Sequence, residues 1–110
     1  MVDNSVDLDA VFKALGDPTR RAMLASLKAG PATVGNLAAP HAMTLAGASK
    51  HIQVLEQAGL IRCARKGRER LCALEPDPLR AAERWLNHYA AFWSDRLDAL
   101  EMALGKTEKD

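Results

Sequence analysis

The stretch SKHIQVLEQAGLIRCARKGRERL, Ser49 to Leu71, opens as an amphipathic helix and stops at Gly59. It then becomes a short apolar run and ends among arginines around Gly67. Just upstream, Thr44 is a candidate helix cap. Leu45, Ala48, Ile52 and Leu55 follow it on one stripe, at steps of three, four and three. At about 100° per residue, that stripe leaves Ala46, Ser49, Lys50 and Gln53 pointing the opposite way. The spacing predicts a helix over 44–58 with a buried face and a polar outward face, ended by a left-handed glycine at Gly59. Downstream, Leu60–Arg65 and Arg70–Leu74 read as two strands around the turn Lys66-Gly67-Arg68-Glu69. With Gly67-Arg68 at its centre, residues whose numbers sum to 135 face each other, setting Cys63 opposite Cys72 and Ile61 opposite Leu74. All four then share the core-facing side, with paired Cβ atoms about 5 Å apart.

The chain before this stretch reads as three short helices. Leu8, Val11, Phe12 and Leu15 repeat at helical spacing up to Gly16. Asp17-Pro18 is a cap followed by proline at the first helical position, where a missing N–H costs nothing. Ala22, Met23, Leu24 and Leu27 give the second helix its buried face, and Gly30-Pro31 closes it. Thr33 can cap a third helix through Val34, Leu37 and Ala38, with Pro40 as its end. After the hairpin, Asp77-Pro78 repeats the cap-plus-proline device and starts a helix running to about Gly105. Its seam of Leu79, Ala82, Leu86, Tyr89, Trp93, Leu97, Leu100 and Leu104 keeps steps of three or four throughout, with Trp85 and Phe92 on a second stripe. A helix of that length spans about 39 Å. A core of this size cannot cover it, so part of the seam is expected to meet a second chain.

At 110 residues the chain is one domain by size, with the composition of a soluble globular protein. It has neither a membrane-length apolar window nor a signal pattern, which leads to the expectation of a cytoplasmic protein without a membrane partner. There, Cys63 and Cys72 are expected to be free thiols and not a structural disulfide. The formal net charge of +1 hides a strong asymmetry. Residues 44–70 carry six basic side chains (Lys50, Arg62, Arg65, Lys66, Arg68, Arg70) and two acidic ones (Glu56, Glu69). A basic patch on an otherwise neutral domain suits a nucleic-acid contact surface.

Three short helices, a fourth with a polar outward face and then a basic-tipped hairpin is the order of a winged helix-turn-helix. The fold class expected is mainly α with a small β-hairpin and a long terminal helix for dimerisation. A helix fits the major groove of B-DNA, where its outward side chains meet base edges. A two-stranded wing carries basic groups to neighbouring phosphates, which fix register without specifying sequence. Phe12–Leu24 (FKALGDPTRRAML), Ser49–Ile61 (SKHIQVLEQAGLI) and Lys66–Leu71 (KGRERL) together resemble the ArsR family of bacterial winged-helix repressors over roughly residues 8–104.

The resemblance implies a homodimer on an operator of imperfect two-fold symmetry, with repression relieved by an effector or a competing protein. It assigns the helix-turn-helix and wing to 8–75, and dimerisation to 77–104 together with 7–15. It places Thr44, Ala46, Gly47, Ser49, Lys50 and Gln53 against double-stranded DNA. The wing and backbone contacts expected are Arg65, Lys66, Arg68 and Arg70. The dimer interface expected is Leu8, Phe12, Leu86, Tyr89, Trp93, Leu97 and Leu100. His51 lies at the edge of the buried stripe, where packing is favoured over a base contact. Arg20 and Arg21 are open between phosphate contact and local pairing with Asp17. Leu45-Ala46-Gly47-Ala48 offers no side-chain hydrogen bond at the start of the reading helix. Discrimination then rests on Thr44, Ser49, Lys50 and Gln53, with Ala46 against a thymine methyl and a share from DNA shape.

No metal or other cofactor is expected. The family's thiolate site needs a cysteine pair in the third helix, and 36–41 (NLAAPH) contains none. Its other site needs a richer set on the last helix than His88 and Asp95, with Glu101 nearly four turns from His88. His41, His51 and His88 lie in different elements, and no catalytic arrangement or glycine-rich phosphate loop is present, so an enzyme is not expected. Two rivals remain in view: a winged helix that docks an acidic protein, and a repressor that senses oxidation through Cys63 and Cys72. The effector itself is not legible in the residues.

Overall fold

The computed structural model describes residues 6–108. In chain order they form α1 (Leu8–Leu15), α2 (Pro18–Ser26), β1 (Ala32–Thr33), α3 (Val34–Ala38), α4 (Leu45–Gln57), β2 (Ile61–Lys66), β3 (Glu69–Leu74) and α5 (Pro76–Glu108). Short 3-10 turns, Leu27–Ala29 and Ala39–His41, extend α2 and α3. Four helix starts have the chemistry their sequences require. The side chains of Asp7, Asp17, Thr33 and Thr44 each accept a backbone N–H three residues on, from Ala10, Arg20, Asn36 and Gly47. Gly59, just past α4, takes φ 76°, and a Cβ there would meet the Pro78 ring at 3.4 Å. The chain therefore turns sharply from α4 into β2 while the start of α5 packs close by.

The sheet has the order β1-β3-β2, both pairings antiparallel. The β2–β3 register pairs Ile61 with Leu74, Cys63 with Cys72 and Lys66 with Glu69, as the centred turn requires. The ladder runs closer to the tip than expected: Lys66 and Glu69 belong to the strands, and only Gly67 (φ 66°) and Arg68 form the turn. The third strand, β1, was not anticipated. It is two residues long and pairs Ala32 with Cys72 and Thr33 with Leu71.

The core gathers Val11 and Ala14 of α1, Met23, Leu24 and Leu27, Leu37 and Ala38, the stripe Ala48, Ile52 and Leu55, then Leu60, Ile61, Cys72 and Ala82. Leu45 is a correction: the stripe was expected to begin there, yet the side chain is 61 % exposed. The first turn of α4 projects beyond the packed helices, so correct phase does not bury it.

The last helix differs in its bounds, beginning at Pro76 and reaching Glu108, 33 residues in place of an expected start at Asp77-Pro78 and an end near Gly105. Pro76 and Pro78 both sit in the first turn, where backbone N–H groups have no intrahelical acceptor. Asp77 is inside the helix and pairs with Arg80 at 2.9 Å. Only the N-terminal part of α5 lies on the domain. The radius of gyration is 18.5 Å, against about 13 Å for a compact chain of this length. The helix stands out from the body, and the principal extents are 62 × 42 × 22 Å.

Candidate nucleic-acid interface

The outward face of α4 is built as its periodicity requires. Thr44, Ala46, Ser49, Lys50 and Gln53 are exposed, and Gly47 is half-buried beside the Thr44 cap. Beyond it, the β2–β3 hairpin lifts Arg65, Lys66, Arg68 and Arg70 into solvent. Leu45, missed by phase alone, adds an exposed apolar side chain at the same end of the helix.

The six basic residues of the patch are not equivalent. Arg62 donates through Nε to Glu75 Oε2 at 2.7 Å, and its Nη2 reaches the same oxygen. Arg70 donates to Glu56 Oε1 at 2.9 Å, tying the wing to the reading helix. No ion pair among the described residues involves Lys50, Arg65, Lys66 or Arg68. The charge available to an anion is therefore concentrated at the wing tip and in one lysine of α4.

Arg20 and Arg21, left open by sequence, are both turned inward to the end of α1. Arg20 Nε donates to the Ala14 carbonyl at 2.8 Å and its Nη2 to that of Lys13 at 3.1 Å. Arg21 donates to the Leu15 carbonyl at 2.7 Å. Cations at a helix C-terminus satisfy its last carbonyls and complement its dipole. The remaining Arg20 Nη1 lies 3.3 Å from His51 Nδ1 on α4. His51 is thus partly buried and internally engaged, with Asp17 Oδ2 3.9 Å from the same nitrogen. Asp17 pairs with Arg20 through the arginine's backbone N–H, at 3.0 Å. That hydrogen bond is the main cause holding its carboxyl below the usual 3.8. Burial opposes the effect, while the Arg20 charge adds to it.

Cys63 and Cys72 face each other with Cα atoms 4.0 Å apart and are joined as a disulfide. Cys72 is fully covered under the wing, as expected, whereas Cys63 is only partly buried. Their expected state as free thiols is corrected: directly opposed positions in an antiparallel pair bring the two sulfur atoms within bonding reach.

On the other side of the molecule, Leu8 and Phe12 pack partly against the core, and the Phe12 ring meets Trp85 edge-on at 5.6 Å. With Asp9 they line a shallow open groove. Tyr89 is half-buried against Trp85, ring centroids 4.9 Å apart. Leu86, Trp93, Leu97 and Leu100 are 54, 52, 57 and 54 % exposed. Phe92 is partly roofed by the Arg96 guanidinium, 4.6 Å above its ring. No group of three or more potential metal ligands occurs among the described residues, and no helix there is long and apolar enough to cross a membrane.

Comparison with known proteins agrees with this geometry. A helix-turn-helix domain model matches residues 15–64. The transcriptional repressor SdpR of Bacillus subtilis is 34% identical over 82 residues, 74% of this chain and 91% of that protein. A crystal structure of an ArsR family transcriptional regulator superposes with a TM-score of 0.74 at 48% identity, covering 79% of this chain and 96% of its own. An ArsR-like transcriptional regulator from Rhodococcus sp. RHA1 gives 0.67 at 29% identity, covering 87% and 91%. With the reading helix, the wing and the long terminal helix all in place, the chain belongs to the ArsR family of winged helix-turn-helix transcriptional regulators.

Proposed function

We propose that the protein is a homodimeric repressor that binds double-stranded DNA at an operator of imperfect two-fold symmetry. The observation that carries the DNA reading is the continuous outward surface of α4 and the wing. Thr44, Ser49, Lys50 and Gln53 are exposed beside a wing tip whose Arg65, Lys66 and Arg68 make no ion pair among the described residues. The α4 side chains meet base edges in the major groove, and the wing meets phosphate. Leu45 and Ala46 supply apolar contact to thymine methyl groups, which offsets the lack of hydrogen-bonding side chains in the first turn. Arg70 contributes less than the other wing cations, because it is shared with Glu56.

The homodimer is supported by the open α5 seam, whose Leu86, Trp93, Leu97 and Leu100 lie beyond the reach of this chain's own core. Joined across that seam, with Leu8 and Phe12 beside it, two protomers present α4 to successive major grooves about 34 Å apart. Selection of the preferred duplex from random DNA tests the reading. An inverted repeat with half-sites one helical turn apart is expected, and no enrichment over input would refute it.

The disulfide favours a second function layered on the first, in which the wing responds to oxidant. Hydrogen peroxide would take two electrons and two protons from the Cys63 and Cys72 thiols, forming the sulfur–sulfur bond and two waters. The structure presents the oxidised form. DNA affinity should then differ between peroxide-treated and reductant-treated protein, and Cys63→Ser/Cys72→Ser should abolish the difference. Equal affinity of oxidised and reduced wild type removes the idea.

A further inference from the structure

Arg20 is the one described side chain that hydrogen-bonds both to α1 and to the reading helix α4. Its guanidinium spends two N–H groups on the α1 carbonyls of Ala14 and Lys13 and offers a third to His51 Nδ1. His51 lies on α4 next to Lys50 and two residues before Gln53. For Nδ1 to accept, the imidazole must be neutral with its proton on Nε2. At the other end of the link, α1 packs on α5 through Phe12 and Trp85. The side chain thus bridges the body that carries the long terminal helix to the surface that faces DNA.

Apolar packing alone leaves the setting of α4 loosely defined. Ala48, Ile52 and Leu55 bury their stripe, but the hydrophobic effect is non-directional and tolerates a small rotation or slide of the helix. A planar guanidinium with a fixed fork of donors does not tolerate it. Asp17 holds the arm of the bridge in place, its carboxylate accepting the Arg20 backbone N–H at 3.0 Å. We propose that Arg20 is a positioning residue for operator recognition: through His51 it locks the angular setting of α4 against the α1–α5 body. The inference rests on the DNA-binding reading above and assigns Arg20 no contact with the operator.

Three variants test it on the full-length protein. Arg20→Lys keeps the charge but cannot reach two carbonyls and an imidazole at once. His51→Leu removes the acceptor, and His51→Asn restores one close to the Nδ1 position. Each is measured against the selected duplex and a scrambled duplex, with folded fraction and oligomeric state checked at the same temperature. Arg20→Lys and His51→Leu should each weaken selected-duplex binding roughly ten-fold. Scrambled-duplex affinity, carried by phosphate contacts, should stay within about two-fold. His51→Asn should recover most of the loss.

A parallel fall on both duplexes, with a salt slope reduced by about one per protomer, would make Arg20 a phosphate contact and overturn the proposal. So would a loss that disappears once binding is corrected for unfolded protein. A DNA-free arm separates this inference from the function on which it rests. The imidazole 15N spectrum of wild type should show a neutral ring with an accepting Nδ1, and Arg20→Lys should shift that signal. An unchanged spectrum refutes the link whatever the duplex data show. A shifted spectrum in a protein that enriches no duplex would refute the operator role while leaving the bridge in place.

Discussion

Asp17 caps α2 by accepting the backbone N–H of Arg20, and this bond holds its carboxyl below the usual 3.8. A depressed folded-state value means that the unfolded chain binds more protons over that interval, so stability rises with pH there. The contribution of the charge is fully present above the unfolded value near 3.8 and is lost as pH falls through the lower folded value. Comparing urea denaturation of wild type with Asp17→Asn, which keeps a capping oxygen without the charge, should show a gap at pH 6 that closes toward pH 3. Leu45 lies in the phase of the core but on the surface, 61 % exposed. Leu45→Ala should change stability by less than about 0.5 kcal/mol, while Ile52→Ala, two turns along the same stripe, should cost about 2–5 kcal/mol, both read by chemical denaturation. Residue phase was legible in the sequence, but the point where the core ends was not. Periodicity gives the direction of a side chain and says nothing of what lies there. The link from Arg20 to His51 was hidden for a related reason: it joins positions 31 apart that meet only in three dimensions.

At the scale of elements, the hairpin register was readable because a glycine that takes φ 66° fixes the turn, and every opposed pair then follows. The two residues of β1 carry no pattern of their own and pair only because β3 offers a free edge. The start of α5 was ambiguous in sequence, since Pro76 and Pro78 are both chemically suited to a first helical turn. The wing and the reading helix are joined by Arg70 and Glu56, whose side chains are 42% and 33% exposed. A pair as open as this contributes little to stability, so its removal is expected to act on function. Glu56→Gln should leave stability nearly unchanged, free Arg70 for phosphate and remove a negative charge from the DNA-facing side. Duplex affinity should rise a few-fold with a steeper salt dependence, and adding Arg70→Ala should cancel the gain. Titration by fluorescence anisotropy at two or more salt concentrations checks both outcomes.

The whole molecule is shaped by a helix longer than its domain. A radius of gyration of 18.5 Å and six large apolar side chains more than half exposed along α5 (Leu86, Trp93, Leu97, Leu100, Met102 and Leu104) are unfavourable for an isolated chain. Trp93→Glu/Leu97→Glu should leave the core intact but shift sedimentation from dimer to monomer. DNA binding should weaken as well, because a monomer engages one half-site where a dimer engages two. The class of fold was legible because order, spacing and charge placement agreed along the chain. Oxidation of the cysteine pair was not, since sequence spacing sets which sulfur atoms meet but not their redox state. Binding of DNA through the wing and the reading helix is read from the salt dependence of affinity for the selected duplex. Wild type should lose affinity linearly on a log–log plot against salt. Lys66→Ala/Arg68→Ala should lower both the affinity and the slope, the latter by about four per dimer if each lost cation releases about one counterion. Duplex binding unchanged across salt, and unaffected by the double substitution, would contradict it.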